Sequence, residues 1–225
     1  YFIYMIYRDI KLTLFDLKLN NPLKNATNSY SNKSGYIIKL YLDEFVGYGE
    51  ASPLKYFSQE SLKEVLWGFE ELKSYLNNGD SFSKDELFNL FNVFTFKIPS
   101  LNFGLDIALL DILSQIKEIS LSKYLNPNAL EKIYLSSFYP SITNDDNKVV
   151  KLKLGFGGVK KDISLFEKIT NNYHSSTLFR IDLNKSYNVK NIITLCNHLK
   201  DYNIEYIEEP LAELTEKSLK ELKEK

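Results

Sequence analysis

Two lysines and two acidic residues stand near the ends of three short apolar segments in the second half of the sequence. Lys151 and Lys153 lie in VVKLKLG, Asp182 lies in LFRIDLN, and Glu208 lies in IEYIEEP. Successive side chains of a β-strand point to opposite faces, so the two lysines would share one face. Carboxylates are oxygen ligands that Mg²⁺ prefers, and a lysine that is neutral part of the time can act as a base. These residues predict removal of a proton next to a metal-bound carboxylate, through an ene-diolate.

Arg180 and Asn184 would lie on the same face of their strand, and Arg180 adds a third positive charge. Strand alternation also puts Ile204 and Tyr206 on the face of Glu208. Like charge lowers the pKa of a lysine, which favours a lysine base. The alternative is a set of plain ion pairs, because a buried charge must be paired or bind a metal. Three consecutive strands carry charge near their C-terminal ends, where β/α barrels have their active sites, and this recurrence favours catalysis.

Residues 1–128 are predicted to form an α+β domain. Two strand-like runs, expected to pair as antiparallel neighbours, flank a polar segment, 20–35, that is typical of a mobile loop. Helices follow Ser61 and Ser83, each with a glutamate three residues later, as in a capping box. A third helix is expected to begin with Ser100 as its N-cap. Its predicted buried stripe consists of Phe103, Ile107, Leu110 and Leu113.

Strand and helix patterns alternate in residues 129–225, which indicates parallel β/α units. The strand-like runs are KIYLSSFY, VVKLKLG, LFRIDLN and IEYIEEP. The predicted fold class is therefore α/β, with the α+β domain followed by four β/α units. A complete eight-unit barrel takes about 250 residues, so these units would form only the first half of one.

Composition excludes several classes of function. The net charge is −1 with acidic and basic residues interleaved, so no nucleic-acid partner is expected. The apolar N-terminus is interrupted by Arg8, Asp9 and Lys11, and it matches neither a signal peptide nor a membrane span. The single cysteine, Cys196, fits a reducing compartment, and we expect a cytoplasmic protein with Cys196 and Trp67 in its core. The predicted partner is a small-molecule carboxylate.

Five segments follow one another in an order found in a known group of enzymes. They are GYGEASPLKYFSQESL (47–62), IPSLNFGLDIALLDIL (98–113), KLK (151–153), RIDLN (180–184) and IEEP (207–210). Together they resemble the enolase superfamily, in its muconate-lactonizing subgroup, and they are most similar to the o-succinylbenzoate synthases. The resemblance implies an enolase-like capping domain followed by a β/α barrel.

The resemblance also implies roles for individual residues. Lys153 would be the general base and then the acid that helps hydroxide leave, with Lys151 as its electrostatic neighbour. Asp182 and Glu208 would bind Mg²⁺, or Mn²⁺ in its place. Supporting or substrate-binding roles would fall to Arg180, Asn184, Phe57 and Ser58. Segments 20–35 and 55–58 would close over the substrate.

The implied reaction is the dehydration of a succinyl-hydroxycyclohexadiene carboxylate to o-succinylbenzoate in menaquinone biosynthesis. The same half-site would serve an N-acylamino acid racemase or a dipeptide epimerase, and a non-catalytic binding or assembly module is a further alternative. The resemblance places a third acidic ligand and a second lysine on later barrel strands. We therefore expect the chain to be the first part of a longer enzyme, and residues 1–225 alone to be inactive.

Overall fold

The chain of this computed structural model folds as two units, Tyr1–Leu130 and Glu131–Lys225. The structure describes residues 4–24, 29–133, 135–138 and 149–224. The first unit contains an antiparallel sheet with helices, and the second contains a parallel sheet with helices. The predicted α/β fold class is confirmed. In the described part of the chain, no helix combines the length and the apolar character needed to cross a membrane.

The first unit has a four-stranded antiparallel sheet in the order β3-β2-β1-β4. Its strands are β1 (Tyr4–Lys24), β2 (Ser29–Leu42), β3 (Phe45–Ala51) and β4 (Ser81–Ser83). Its helices are α1 (Leu62–Leu76), α2 (Lys84–Phe94), α3 (Pro99–Ile116) and α4 (Leu121–Leu125). One apolar core joins the sheet to α1, α2 and α3.

The polar segment 20–35 is not the loop that its composition predicts. Residues 20–24 and 29–35 are strand, and the pairing of β1 with β2 continues to Lys24 and Ser29. Residues 25–28 lie outside the described part of the chain. Strand pairing uses backbone groups, so a polar ribbon can form without the apolar alternation that reveals a strand in a sequence.

The helix starts are partly as predicted. Both capping boxes, Ser61 with Glu64 and Ser83 with Glu86, are present. The prediction for Ser100 is wrong, because the N-cap of α3 is Ile98 and α3 has no side-chain cap of its own. Instead, the buried carboxylate of Glu60 accepts a hydrogen bond from the Ser100 amide at 2.8 Å.

Three burial predictions are wrong. Phe103 is 63% exposed and Trp67 is 64% exposed, and Cys196 is also exposed. Ile107, Leu110 and Leu113 are only partly buried. The buried face of α3 is instead made by Leu101, Gly104, Leu105, Ala108, Leu109, Ile112 and Ser114.

The buried face of helix α3 is determined by β3, which packs directly against the helix backbone. A Cβ atom on Gly49 would lie 1.8 Å from the Gly104 carbonyl oxygen, and one on Gly47 would lie 1.9 Å from that of Ala108. Such close approach is available only to glycine. The Gly-Tyr-Gly-Glu segment is therefore required for helix–strand packing.

Replacing Gly49 by alanine is expected to lower the free energy of unfolding of the first unit by about 1–3 kcal/mol, since the helix must move off the strand. Urea unfolding followed by circular dichroism measures the change. Gly157→Ala is the control, because its Cβ would meet only the flexible side chain of Lys161. Equal stabilities for the two variants would contradict the packing argument.

The second unit has a parallel sheet in the order β5-β6-β7-β8. Its strands are β5 (Ser137–Phe138), β6 (Val149–Lys153), β7 (Leu178–Asp182) and β8 (Ile204–Glu208). Its helices are α5 (Val159–Thr170), α6 (Val189–Leu199) and α7 (Glu216–Lys223). Leu152 and Ile181 belong to the core that the sheet shares with α5 and α6. The polar residues of β6 and β7 therefore project to the opposite face.

Candidate active site

Three predicted site residues lie in one row across the parallel sheet. Lys153 of β6 is paired with Asp182 of β7, and Asp182 is paired with Glu208 of β8. Paired residues of neighbouring strands project to the same face of a sheet. The row lies at the C-terminal ends of these strands, where the sequence pattern predicts a site.

Lys151 bridges the two carboxylates of this row. Its Nζ lies 2.5 Å from Glu208 Oε2 and 3.4 Å from Asp182 Oδ2. Burial opposes the charge of Lys151, but the hydrogen bond to Glu208 and the charges of both carboxylates outweigh it and hold the pKa of Lys151 above its ordinary value. The expectation that like charge lowers a lysine pKa therefore does not describe Lys151, which remains an ammonium group at neutral pH.

Lys153 has different surroundings. Its side chain is partly buried, and it forms no ion pair with any of the described carboxylates. The two lysines of the KLK motif are thus distinct, one held by carboxylates and one without an acidic partner in the described part of the chain.

Asn184 holds the buried carboxylate of the row. Its backbone N–H and its side-chain amide both donate to Asp182 Oδ1, at 3.1 Å and 2.7 Å. Asn184 adopts a left-handed conformation with φ 44°, which lets it turn back onto Asp182. Its own Oδ1 is buried and has no hydrogen-bond partner among the described residues.

Arg180 precedes Asp182 by two residues on β7, on the same face of the sheet, and it is paired in register with Lys151 and with Tyr206. Its guanidinium forms an ion pair with Glu205 and lies over the Tyr206 ring, 5.5 Å from the centroid. The positive charge expected to act on the lysines is therefore balanced by Glu205.

Phe57 and Ser58 belong to the first unit, where both line an open cleft of about 610 Å³. Phe57 is 78% exposed, and Ser58 Oγ accepts a hydrogen bond from the Leu54 amide at 2.9 Å. The tip of the β1–β2 ribbon reaches this segment, because Tyr30 donates to the Lys55 carbonyl at 2.9 Å. Substrate contact by Phe57 and Ser58 stays a prediction.

Two family models match consecutive parts of the chain. Residues 7–112 match the model described as MenC, N-terminal domain, and residues 142–225 match the model described as Enolase C-terminal domain-like. The chain belongs to the enolase superfamily. The resemblance stated from the motifs is confirmed at this level.

Curated relatives in the superfamily are similar at low identity. The hydrophobic dipeptide epimerase of Enterococcus faecalis is 22% identical over 219 residues, which covers 92% of this chain and 62% of that protein. The N-succinyl-L-Arg/Lys racemase of Bacillus cereus and the o-succinylbenzoate synthase of Pasteurella multocida are each 24% identical, over 90% of this chain and 58% of each relative. The chain thus spans about three fifths of the length of these relatives.

A solved structure shows the same fold. The dipeptide epimerase of Enterococcus faecalis, crystallised in complex with Mg and the dipeptide L-Leu-L-Tyr, matches with a TM-score of 0.76 at 21% identity. The match covers 97% of this chain and 64% of that one. The predicted enolase-like fold is confirmed.

The donor set of the row fits part of a magnesium site. Asp182, Glu208 and the Oδ1 of Asn184, which has no partner among the described residues, offer hard oxygen atoms, as Mg²⁺ requires. Within residues 4–24, 29–133, 135–138 and 149–224, no three His, Cys, Asp or Glu side chains are grouped as a metal site. The described residues therefore supply two carboxylates, which is part of a ligand set.

A buried network that the sequence did not predict supports the row. Asp162 of α5 accepts hydrogen bonds from the Gly155 amide, at 2.7 Å, and from the Tyr187 hydroxyl. Burial and the contact with Asp162 raise the pKa of Tyr187, so this phenol remains a donor. The network ties the loop after β6 to the loop after β7. It thereby fixes the strand ends that carry Lys153 and Asp182. No sequence pattern pointed to Tyr187, because its partner is 25 residues away.

Replacing Tyr187 by phenylalanine is expected to lower the free energy of unfolding of the second unit by about 1–3 kcal/mol, because a buried carboxylate loses a donor. Urea unfolding followed by circular dichroism measures this change in the free energy of unfolding. Tyr202→Phe is the matched control, since Tyr202 packs in the same core through its ring. Variants of equal stability would show that the Tyr187 hydroxyl does not support the loops.

Proposed function

We propose that the protein is a magnesium-dependent lyase of the o-succinylbenzoate synthase type, which acts in menaquinone biosynthesis. It would dehydrate a succinyl-hydroxycyclohexadiene carboxylate to o-succinylbenzoate. The observation that carries the proposal is the row of Lys153, Asp182 and Glu208, with Lys153 outside any described ion pair. The similarity to the o-succinylbenzoate synthase of Pasteurella multocida and the match of residues 7–112 to the MenC N-terminal domain support a synthase.

Asp182 and Glu208 would bind the divalent ion, and Asn184 would keep Asp182 oriented. When bound, Mg²⁺ neutralises the negative charge that develops on the substrate carboxylate. Lys153 would take the proton from the carbon next to that carboxylate. The resulting ammonium would return this proton to the departing hydroxide, so that water leaves and a C=C bond forms. Lys151, which lies between the two carboxylates, would add positive charge on the same face of the sheet.

Epimerisation or racemisation is the second candidate function. It is favoured by the similarity to a dipeptide epimerase and to an N-succinylamino acid racemase. Such a reaction returns the proton on the opposite side of the carbon, and it needs an acid on that side. Lys151 and Lys153 lie on one strand and one sheet face, so the acid would have to come from another strand, as the second lysine implied by the resemblance would.

The proposal is tested with the protein expressed from its complete reading frame. Purified protein with Mg²⁺ is incubated with the cyclohexadiene substrate, and dehydration is followed by absorbance. In parallel, exchange of the α-proton of N-succinylamino acids and dipeptides in D₂O is followed by NMR. Dehydration as the fastest reaction is expected. Exchange without dehydration would replace the lyase by a racemase or epimerase. If the protein catalyses neither reaction, the result would indicate a binding or assembly module. The predicted cytoplasmic location remains part of this proposal.

A further inference from the structure

Strand β8 has one residue more than the neighbouring strand β7 within their paired segment. Phe179 is paired with Ile204, but the next residue of β7, Arg180, is paired with Tyr206. Glu205 is thus the extra residue of a β-bulge. Side-chain burial agrees, because Ile204 and Ile207 both pack against the core of the unit. Residues three apart in an unbroken strand would face opposite sides. The expectation that Ile204 shares the face of Tyr206 and Glu208 is therefore wrong.

The bulge decides which face Glu208 occupies. If the register of Phe179 with Ile204 continued unbroken, Asp182 would be paired with Ile207, and Glu208 would turn to the core side. A shift of one residue moves every following side chain to the other face. The observed pairing of Asp182 with Glu208 therefore requires the extra residue to be accommodated before Tyr206.

Arg180 contacts both residues that follow this break. It forms the ion pair with Glu205 and lies over the ring of Tyr206. Glu205 and Tyr206 are both exposed, although they are neighbours in a strand. One guanidinium thus holds two consecutive side chains of β8 on the same side of the sheet.

We propose that Arg180 is a positioning residue, which fixes the bulge at Glu205 and thereby places Glu208 beside Asp182 and Lys153. The inference deepens the proposed function and rests on its metal site. Arg180 would act here through the backbone of β8, which is a supporting role and requires no contact with substrate or metal.

A double-mutant cycle tests the role. Arg180→Met and Glu205→Gln, alone and combined, are compared for Mn²⁺ affinity by electron paramagnetic resonance and for hydrogen–deuterium exchange of the β8 amides. Each single change is expected to weaken Mn²⁺ binding roughly tenfold, an effect of the size that residues outside the ligand set have when they orient a ligand. Exchange in segment 206–208 should become faster. The combined variant should bind no more weakly than either single one.

The exposed pair of Lys220 and Glu216 in α7, 2.7 Å apart, provides the matched control. Lys220→Met removes an exposed ion pair within a helix, away from the sheet, and it should change neither readout. Wild-type affinity in Arg180→Met would overturn the proposal, as would additive effects of the two single variants.

Deletion of Glu205 separates positioning from a direct electrostatic role. The shortened strand would place Tyr206 and Glu208 opposite Arg180 and Asp182 by simple alternation, so Arg180→Met should have no further effect on Mn²⁺ affinity in that background. A tenfold loss of Mn²⁺ affinity on adding Arg180→Met to the Glu205 deletion would overturn the positioning role. Circular dichroism shows whether the shortened chain folds, and the double-mutant cycle decides if it does not.

Failure of the proposed function is recognisable independently. A protein that binds Mn²⁺ but catalyses neither dehydration nor α-proton exchange refutes the function and leaves the positioning claim to the cycle. If the wild-type protein binds no Mn²⁺, hydrogen–deuterium exchange of the β8 amides alone tests the positioning role of Arg180. Faster exchange of segment 206–208 in Arg180→Met than in the control supports the claim, and equal exchange overturns it.

Discussion

Lys153→Ala is expected to slow α-proton removal by roughly 10²- to 10⁴-fold, the usual contribution of a general base. Lys153 shares its row with Asp182 and Glu208 and pairs with no described carboxylate, so its loss removes the base without breaking an ion pair. The free energy of unfolding should therefore stay close to that of the wild type. Single-turnover dehydration, with α-proton exchange in D₂O as a second measure, determines the effect.

Lys160→Ala is the control for this variant. Lys160 is an exposed residue of α5, seven positions further along the chain, and its loss should leave the rate unchanged. If Lys153→Ala keeps the wild-type rate, the assignment of the base is wrong. A loss of rate accompanied by an equal loss of folded protein would give the residue a structural role instead.

Asp182→Asn is expected to weaken Mn²⁺ binding by at least roughly 100-fold, because even outer partners of metal ligands contribute 10- to 100-fold. Asparagine has the shape of aspartate, and its oxygen can still accept the two hydrogen bonds from Asn184. The local fold should therefore be kept while a charged ligand is lost. Titration with Mn²⁺, followed by electron paramagnetic resonance, gives the affinity.

Asp201→Asn provides the comparison for Asp182→Asn. Asp201 is an exposed aspartate just before β8, so it tests the loss of one negative charge near the sheet. Equal affinities for the two variants would mean that Asp182 is not a ligand. Weak binding by both would mean that the net charge of the second unit governs the affinity.

The part of the fold that depends on local pattern was predictable. Strand alternation placed Lys153, Asp182 and Glu208 at the ends of successive strands, and the parallel register brings these ends together. The capping boxes at Ser61 and Ser83 are also local, since the residues that form each one are three apart.

The part that depends on distant contacts was not predictable. Glu60 caps α3 from a segment 40 residues away, and the contact of Gly49 with Gly104 decides which face of that helix is buried. Neither contact leaves a periodic signal in the sequence. The bulge at Glu205 was missed for a different reason, because one extra residue in a short strand still reads as regular alternation.

The direct test of the metal row is anomalous diffraction from crystals of the complete protein grown with Mn²⁺. One Mn²⁺ peak beside the carboxylates of Asp182 and Glu208 is expected, with Lys153 directed to the same face of the sheet. Absence of a peak at that row, with Lys151 still bridging both carboxylates and Lys153 turned away, would contradict this expectation.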